Sequence, residues 1–435
     1  MKAAFYTLGC KVNQTETEAI TAIFRNGGYE VVPSEEQADV YVINTCTVTN
    51  MGDRKSRQII RRVNKTNPAA LVVVMGCYAQ VSPDEVSKIP GVDLVLGTKD
   101  RGRILELLAQ VRQAEHSLSL VQDDWRDTLF EELPMLETET RVRATLKIEE
   151  GCNQFCTYCI IPYARGPVRS RQPDRALAEA AKLVHAGYKE VVLTGIHTGA
   201  YGQDLGLDLN YLVSRMADLP GLERLRLSSI EPVEFSADLI ATIAANPNIC
   251  PHLHVPLQSG CDQTLLRMRR PYDTEVYAAI IANLREAIPR VAITTDLIVG
   301  FPGETDAEHR ASWDFARRME FAAIHVFKYS PRRGTPAADY PNQVAATLKE
   351  ARSKEFHALS RENWRRYAEG FLGETMPVLV EQAVADGKWE GHTANYLPVR
   401  FNCAGEQRGQ LVDVSLRQVA DGYMLGAVNF SQSEG

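Results

Sequence analysis

The chain has no run of the ~18–20 uninterrupted apolar residues that a membrane helix needs, so no membrane span is expected. Long compositionally biased tracts are also missing. The opening Met1-Lys2-Ala3-Ala4-Phe5-Tyr6 leads straight into a strand-like segment and lacks the apolar core of a secretory signal. A cytoplasmic protein is therefore expected, and in that compartment clustered cysteines bind metal or do chemistry more often than they form disulfides. No glycine-rich run has the form of a phosphate cradle. A net charge of −7 argues against non-specific nucleic-acid binding, though not against a local basic face. The nine histidines are scattered, and structural roles are expected for them, including His252 and His254, which alternate along one strand.

The chain does have nine cysteines, and six of them fall into two sets of three. Cys152, Cys156 and Cys159 form a compact set. Cys10, Cys46 and Cys77 are dispersed, and each follows an apolar run that reads as a strand: Ala3 to Leu8, Val40 to Ile43 and Leu71 to Met75. If those strands are parallel neighbours, the three thiols share the sheet edge where open α/β sheets carry their ligands. Each triad suits one iron–sulfur cluster, with one iron of a cubane left open. An open coordination position distinguishes reactive from structural metal sites. The competing readings are a zinc site for the compact set, whose three-then-two spacing is unlike zinc-ribbon pairs, and three buried core cysteines for the dispersed set. Gly9 and Gly76 beside two of these cysteines favour a close approach of backbone to a bulky group. Cys250, Cys261 and Cys403 show no such pattern.

At 435 residues, several domains are expected. Residues 1–117 alternate strands near 3–8, 40–44, 71–75 and 93–96 with helices, which implies a small parallel α/β sheet. Residues 118–140 are rich in acids and read as a linker. Residues 141–370 carry six strand–helix units, with strands near 144–149, 190–196, 224–230, 252–257, 292–299 and 322–328. Asp174, Ser236 and Asp306 are expected helix N-caps. Six units make an incomplete (β/α)6 barrel, since a closed one needs eight. A helix over 344–369 follows, and residues 371–435 read as a small all-β barrel.

Cys152-x-x-x-Cys156-x-x-Cys159, with Tyr158 as its aromatic, sits after the first strand of that barrel and resembles the signature of radical S-adenosylmethionine (SAM) enzymes. A narrower resemblance spans nearly the whole chain. Leu8-Gly9-Cys10-Lys11-Val12-Asn13, Asn44-Thr45-Cys46, Gly76-Cys77-Tyr78-Ala79-Gln80, Ile160 to Gly166, Leu193-Thr194-Gly195, Pro256 to Gly260, Asp296 to Glu304 and Tyr329 to Arg332 are similar to the methylthiotransferases. The Lys11-Val12-Asn13 variant and the Arg169-Ser170-Arg171 ending resemble the branch acting on threonylcarbamoyladenosine beside the tRNA anticodon.

The resemblance implies two 4Fe-4S clusters, a radical SAM barrel and a C-terminal TRAM-like RNA-binding barrel. It implies that the Cys152/Cys156/Cys159 cluster reduces SAM to a radical that takes hydrogen from carbon 2 of the adenine. The Cys10/Cys46/Cys77 cluster would present sulfur methylated by a second SAM. The partners it implies are a tRNA anticodon stem-loop and an electron carrier such as flavodoxin or ferredoxin. Candidate SAM contacts near strand ends are Gly195, Glu231, Gln258, Ser259 and Asp296, with Arg171 as a carboxylate partner. Three basic groups are candidates for RNA: Arg54, Lys55, Arg57, Arg61 and Arg62; Arg165, Arg169 and Arg171; and Arg267, Arg269 and Arg270. In the C-terminal barrel, Trp389, Tyr396 and Tyr423 are available for stacking, and Phe401 is expected in the core. Alternatives are the same chemistry on isopentenyladenosine or on a ribosomal-protein aspartate, and more distantly a non-catalytic iron–sulfur RNA-binding sensor.

Overall fold

The computed structural model describes residues 1–113, 117–121, 129–134, 142–384 and 387–428. The first unit contains β1 (Lys2–Thr7), α1 (Lys11–Asn26), β2 (Glu30–Val31), β3 (Val40–Thr45) and α2 (Asn50–Thr66). After these come β4 (Leu71–Gly76), α3 (Cys77–Val81), α4 (Pro83–Ser87), β5 (Leu94–Leu96), α5 (Ile104–Gln113) and β6 (Leu118–Leu120). All strands are parallel, in the order β2-β1-β3-β4-β5-β6. Both faces are covered, so the central strands are continuously apolar. Val40, Val42, Val73 and Met75 pack under α1 and α5, while Tyr41, Ile43, Val72 and Val74 turn the other way toward α2 and α4. The strand order reverses between β1 and β3, and that switch point is where doubly wound sheets bind ligands.

The linker expected over 118–140 is corrected at its start, because Leu118–Leu120 pairs with β5 as the sixth strand. The rest of that segment lies outside the described residues except for 121 and 129–134.

The central unit runs β7 (Arg143–Lys147), β8 (Glu149–Glu150), α6 (Ile161–Arg165), β9 (Arg169–Ser170), α7 (Pro173–His185), β10 (Glu190–Thr194), α8 (Leu209–Ala217) and β11 (Arg224–Leu227). It continues with α9 (Ala237–Ala245), β12 (His252–His254), α10 (Asp262–Met268), α11 (Thr274–Ala287), β13 (Ala292–Val299), α12 (Asp306–Met319), β14 (Ala323–Lys328) and α13 (Ala346–Glu369). Two three-stranded parallel sheets, β7-β10-β11 and β12-β13-β14, meet at a bridge between Leu225 and Ile249. Together they give the six strands of the incomplete barrel.

Ser236 caps α9 as expected, accepting from the Leu239 amide. The other two expected caps shift. Thr305 caps α12 in a capping box with Glu308, and Gln172 precedes Pro173 of α7. Asp306 and Asp174 therefore sit in first turns, where their charge still favours the helix dipole.

The first unit covers the open side of this barrel. Lys147 of β7 reaches Glu16 of α1 at 2.9 Å, and Arg332, beyond β14, reaches Asn50 at 2.7 Å and Asp53 at 2.8 Å.

The third unit is a closed antiparallel-rich barrel of β15 (Thr375–Ala383), β16 (Trp389–Thr393), β17 (Pro398–Asn402), β18 (Leu411–Val419) and β19 (Met424–Val428), ordered β15-β16-β17-β19-β18. Phe401 is in its core with Val378, Val399 and Leu416. The barrel docks on the central unit, where Arg224 donates to Pro377 O at 2.7 Å and Arg226 to Ala394 O at 3.0 Å.

Candidate active site

Parallel pairing of β1, β3 and β4 brings Cys10, Cys46 and Cys77 to one edge, each just past its strand. Gly9 has φ +103°, and a Cβ there would lie 2.8 Å from Cys46 Cβ. Gly76 has φ +93°, and a Cβ there would lie 2.7 Å from Thr45 O. These glycines let the cysteine loops close on one another.

Asn13 joins two of those loops. Its amide nitrogen donates to Leu8 O (2.8 Å) before Cys10 and to Thr45 O (3.0 Å) before Cys46. Its Oδ1 accepts from Arg165 Nη2 at 2.6 Å, and Arg165 Nε donates to Cys77 Sγ at 3.2 Å. One asparagine and one guanidinium thus organise the whole dispersed triad.

Arg165, at the end of α6, is fully buried at the centre of a charge network. It pairs with Glu16 and, at 2.5 Å, with Glu150. Arg101 and Lys147 contact the same two carboxylates. Burial alone would raise the pKa of Glu16, but Arg101, Arg165 and Lys147 outweigh it and hold that carboxyl at about 2.

Cys152, Cys156 and Cys159 lie in the loop between β8 and α6. The loop is fixed by Cys152 N donating to Gly166 O (3.0 Å), Thr157 N to Met268 O (3.1 Å) and Cys159 N to Cys156 O (2.9 Å). Arg270 donates to Cys156 Sγ at 3.2 Å and pairs with Glu231, while His197 Nδ1 lies 3.6 Å from Cys152 Sγ. Each triad therefore has one buried guanidinium against one of its sulfurs. Burial pushes the Cys77 and Cys159 thiols up to about 12, and it also raises Cys46 and Cys156. These cysteines are held as neutral thiols until a ligand takes their protons.

All six cysteines are free. Among the described residues no three His, Cys, Asp or Glu side chains converge as a single metal ion would need. A 4Fe-4S cube binds each thiolate on a different iron, so three separated thiols around one space fit it as a donor set.

Cys10 of one triad and all of the other line a single cavity of about 850 Å³. Gly195, Glu231, Gln258 and Asp296 also line it. Ser259 and Arg171 do not. Ser259 is buried in its own turn, accepting from Cys261 N at 3.3 Å. Arg171 lines a different, small cavity and pairs with Glu132 at 2.8 Å. The closest approach to Gly195 comes from Glu149, which would be 2.6 Å from an added Cβ. His252 and His254, given structural roles from sequence, line the cavity as well, and His254 lies 3.2 Å from Asp296.

His197 and Arg270 were missed as contacts of the compact triad. In sequence, Arg270 is marked only as part of a basic group. Arg270, Arg165, Arg169 and Arg171 are all interior. Of the expected basic faces, α2 presents Arg54, Lys55, Arg61 and Arg62 at the surface, with Arg57 tied to Glu85 at 3.1 Å. Tyr396 is not a free stacking surface either. It stacks on His252 at 4.7 Å and on His392 at 4.6 Å, against the central unit.

Residues 2–97 match the Uncharacterized protein family UPF0004, and residues 146–316 match the Radical SAM superfamily. The chain is 45% identical over 430 residues to the threonylcarbamoyladenosine tRNA methylthiotransferase MtaB of Bacillus subtilis, covering 97% of this chain and 95% of that one. It is 35% identical to the tRNA-2-methylthio-N(6)-dimethylallyladenosine synthase of Pelotomaculum thermopropionicum, covering 99% and 98%. Among solved structures, the radical SAM methyltransferase TsrM of Kitasatospora setae, with cobalamin and a 4Fe-4S cluster bound, matches with a TM-score of 0.59 at 16% identity. That match covers 78% of this chain and 76% of TsrM, and it shows the shared fold.

Proposed function

This chain belongs to the radical SAM methylthiotransferases, and we propose that it methylthiolates carbon 2 of threonylcarbamoyladenosine at tRNA position 37, next to the anticodon. The observation that carries this reading is that Cys10 of the dispersed triad and all three cysteines of the compact triad, from units with separate sheets, line one cavity. An adenine C–H at carbon 2 offers no acidic proton or leaving group, so general acid–base or nucleophilic chemistry has little to act on. With 4Fe-4S clusters on Cys152/Cys156/Cys159 and on Cys10/Cys46/Cys77, and SAM bound, the cofactors would supply the radical and the methylated sulfur.

The protein's part is placement. Arg270 and Arg165 each set a positive charge against a thiolate sulfur, which offsets the negative charge of a thiolate-bound cluster. Gly195, Glu231, Gln258 and Asp296 are the proposed contacts for SAM. The basic face of α2 and the C-terminal barrel are the proposed tRNA contacts, and the electron would come from a carrier such as flavodoxin or ferredoxin. No described helix is long and apolar enough to cross a membrane.

Mass spectrometry of tRNA nucleosides from cells with and without this protein tests the substrate. Loss of the methylthio form of threonylcarbamoyladenosine is expected, with accumulation of its unthiolated precursor. Loss of the methylthio form of dimethylallyladenosine instead would overturn the assignment.

A further inference from the structure

Lys11, Arg226 and Tyr396 line both the inner cavity and an outer one of about 560 Å³, so they form the neck between them. Charge at this neck is unbalanced. Glu190 lies 2.6 Å from Arg226, 3.6 Å from Arg224 and 3.9 Å from Arg143, and Glu381 lies 2.9 Å from Arg143. Two carboxylates are thus shared by three guanidiniums, and His392 also draws on Glu381, at 2.7 Å. Lys11 is a fourth cation, and among the described residues no carboxylate lies within ion-pair distance of its ammonium. Glu406 and Arg408 face the outer cavity as one acid and one base and leave the surplus as it is. The acids of the inner cavity are committed elsewhere, Glu231 to Arg270 and Asp296 to His254.

Other features sharpen the site. Lys11 opens α1, whose first turn carries no acidic side chain, so the positive end of the helix adds to the ammonium. Lys11 keeps accessible surface in the cavities although protein surrounds much of it, with Arg143 and Arg226 lining the same outer cavity. Tyr396 is fixed in a left-handed backbone conformation (φ +69°) with the Arg226 guanidinium 4.8 Å from its ring centroid, so the neck is preorganised. A desolvated site with surplus positive charge favours an anionic ligand group. The substrate proposed above carries one. Its N6 substituent ends in the carboxylate of threonine, whereas a dimethylallyl group is uncharged. Lys11 also adjoins Cys10, which lines the inner cavity, so a substituent held at the neck leaves its adenine toward the cysteines.

We infer that Lys11, in the positive field of the neck, binds the carboxylate of the N6 substituent and thereby selects threonylcarbamoyladenosine over adenosines with uncharged N6 groups. The inference rests on the substrate reading above.

The test uses the cluster-reconstituted full chain and three anticodon stem-loop RNAs. Position 37 carries the threonylcarbamoyl group, its methyl ester, or dimethylallyl, and binding is read by fluorescence anisotropy. The acid should bind roughly 10- to 100-fold more tightly than the ester, the range for one charge-assisted hydrogen bond. In Lys11→Gln the acid-to-ester ratio should fall toward one, and Lys11→Arg should restore most of it. Methylthiolation by Lys11→Gln should show a raised KM for the acid RNA at matched iron content. If wild type thiolates the acid RNA but binds acid and ester equally, or if Lys11→Gln keeps the ratio, the inference fails and the substrate reading stands. If wild type thiolates only the dimethylallyl RNA, both fail. The ester comparison on wild type decides the matter even if the variant loses its cluster.

Discussion

Arg165→Ala is expected to destabilise the protein by about 3–5 kcal/mol, the cost of breaking a buried ion pair from one side. The side chain is fully buried and holds Glu16, Glu150, Asn13 and Cys77 together. Removing it leaves Glu16 and Glu150 facing each other in the interior with Arg101 and Lys147 as their remaining ion-pair partners among the described residues. It also releases Asn13, and with it the loops that carry Cys10 and Cys46. Urea unfolding of the protein without clusters measures the first effect. Combining Arg165→Leu with Glu16→Gln should recover much of the loss, because it removes charge from both sides of the pair. A loss below about 1 kcal/mol for Arg165→Ala would place this network in the class of weak surface pairs and remove its role as the joint between the first and central units.

The cysteine triads should separate the reaction into two measurable halves. Cys156→Ala should reduce 5′-deoxyadenosine formation from SAM under reducing conditions by about a thousandfold or more, to the uncatalysed background. Methylthio product should vanish with it. Cys46→Ala should leave SAM cleavage within a fewfold of wild type while abolishing transfer of the methylthio group. The structural basis is that the triads are held by different scaffolds. Cys46 follows β3 in the parallel sheet, and Cys156 lies in the barrel loop after β8. Arg165 and its network, with the Arg332 contacts to Asn50 and Asp53, tie one scaffold to the other. If Cys46→Ala abolished SAM cleavage as well, the two sites could not be working separately. If Cys156→Ala retained it, the compact triad would not be the radical site.

The skeleton of this arrangement was legible in sequence because it is encoded locally. Apolar runs of strand length ended at Gly9-Cys10, Asn44-Thr45-Cys46 and Gly76-Cys77, and parallel pairing then placed the cysteines at one edge. Core and surface in the C-terminal barrel followed from alternation, so Phe401 was expected inside, where it lies.

What could not be read depends on contacts between distant segments. Arg165 and Arg270 looked like members of basic patches, since nothing near them in sequence shows that Glu16, Glu150 and Glu231 fold onto them. Arg171 looked like a cofactor partner for the same reason, yet it meets Glu132. Tyr396 looked like an RNA-stacking residue until docking of the barrel set it against His252, some 140 residues away. Strand β6 was missed because three residues, Leu-Ser-Leu, carry too little pattern to stand out from an acidic linker.

The central claim is that each triad holds its own cluster. Mössbauer spectroscopy of the iron- and sulfide-reconstituted chain tests it most directly, alongside the variant with Cys10, Cys46 and Cys77 all changed to alanine. The wild type should hold two 4Fe-4S clusters and the variant one; a single cluster in the wild type, or two remaining in the variant, would contradict the account.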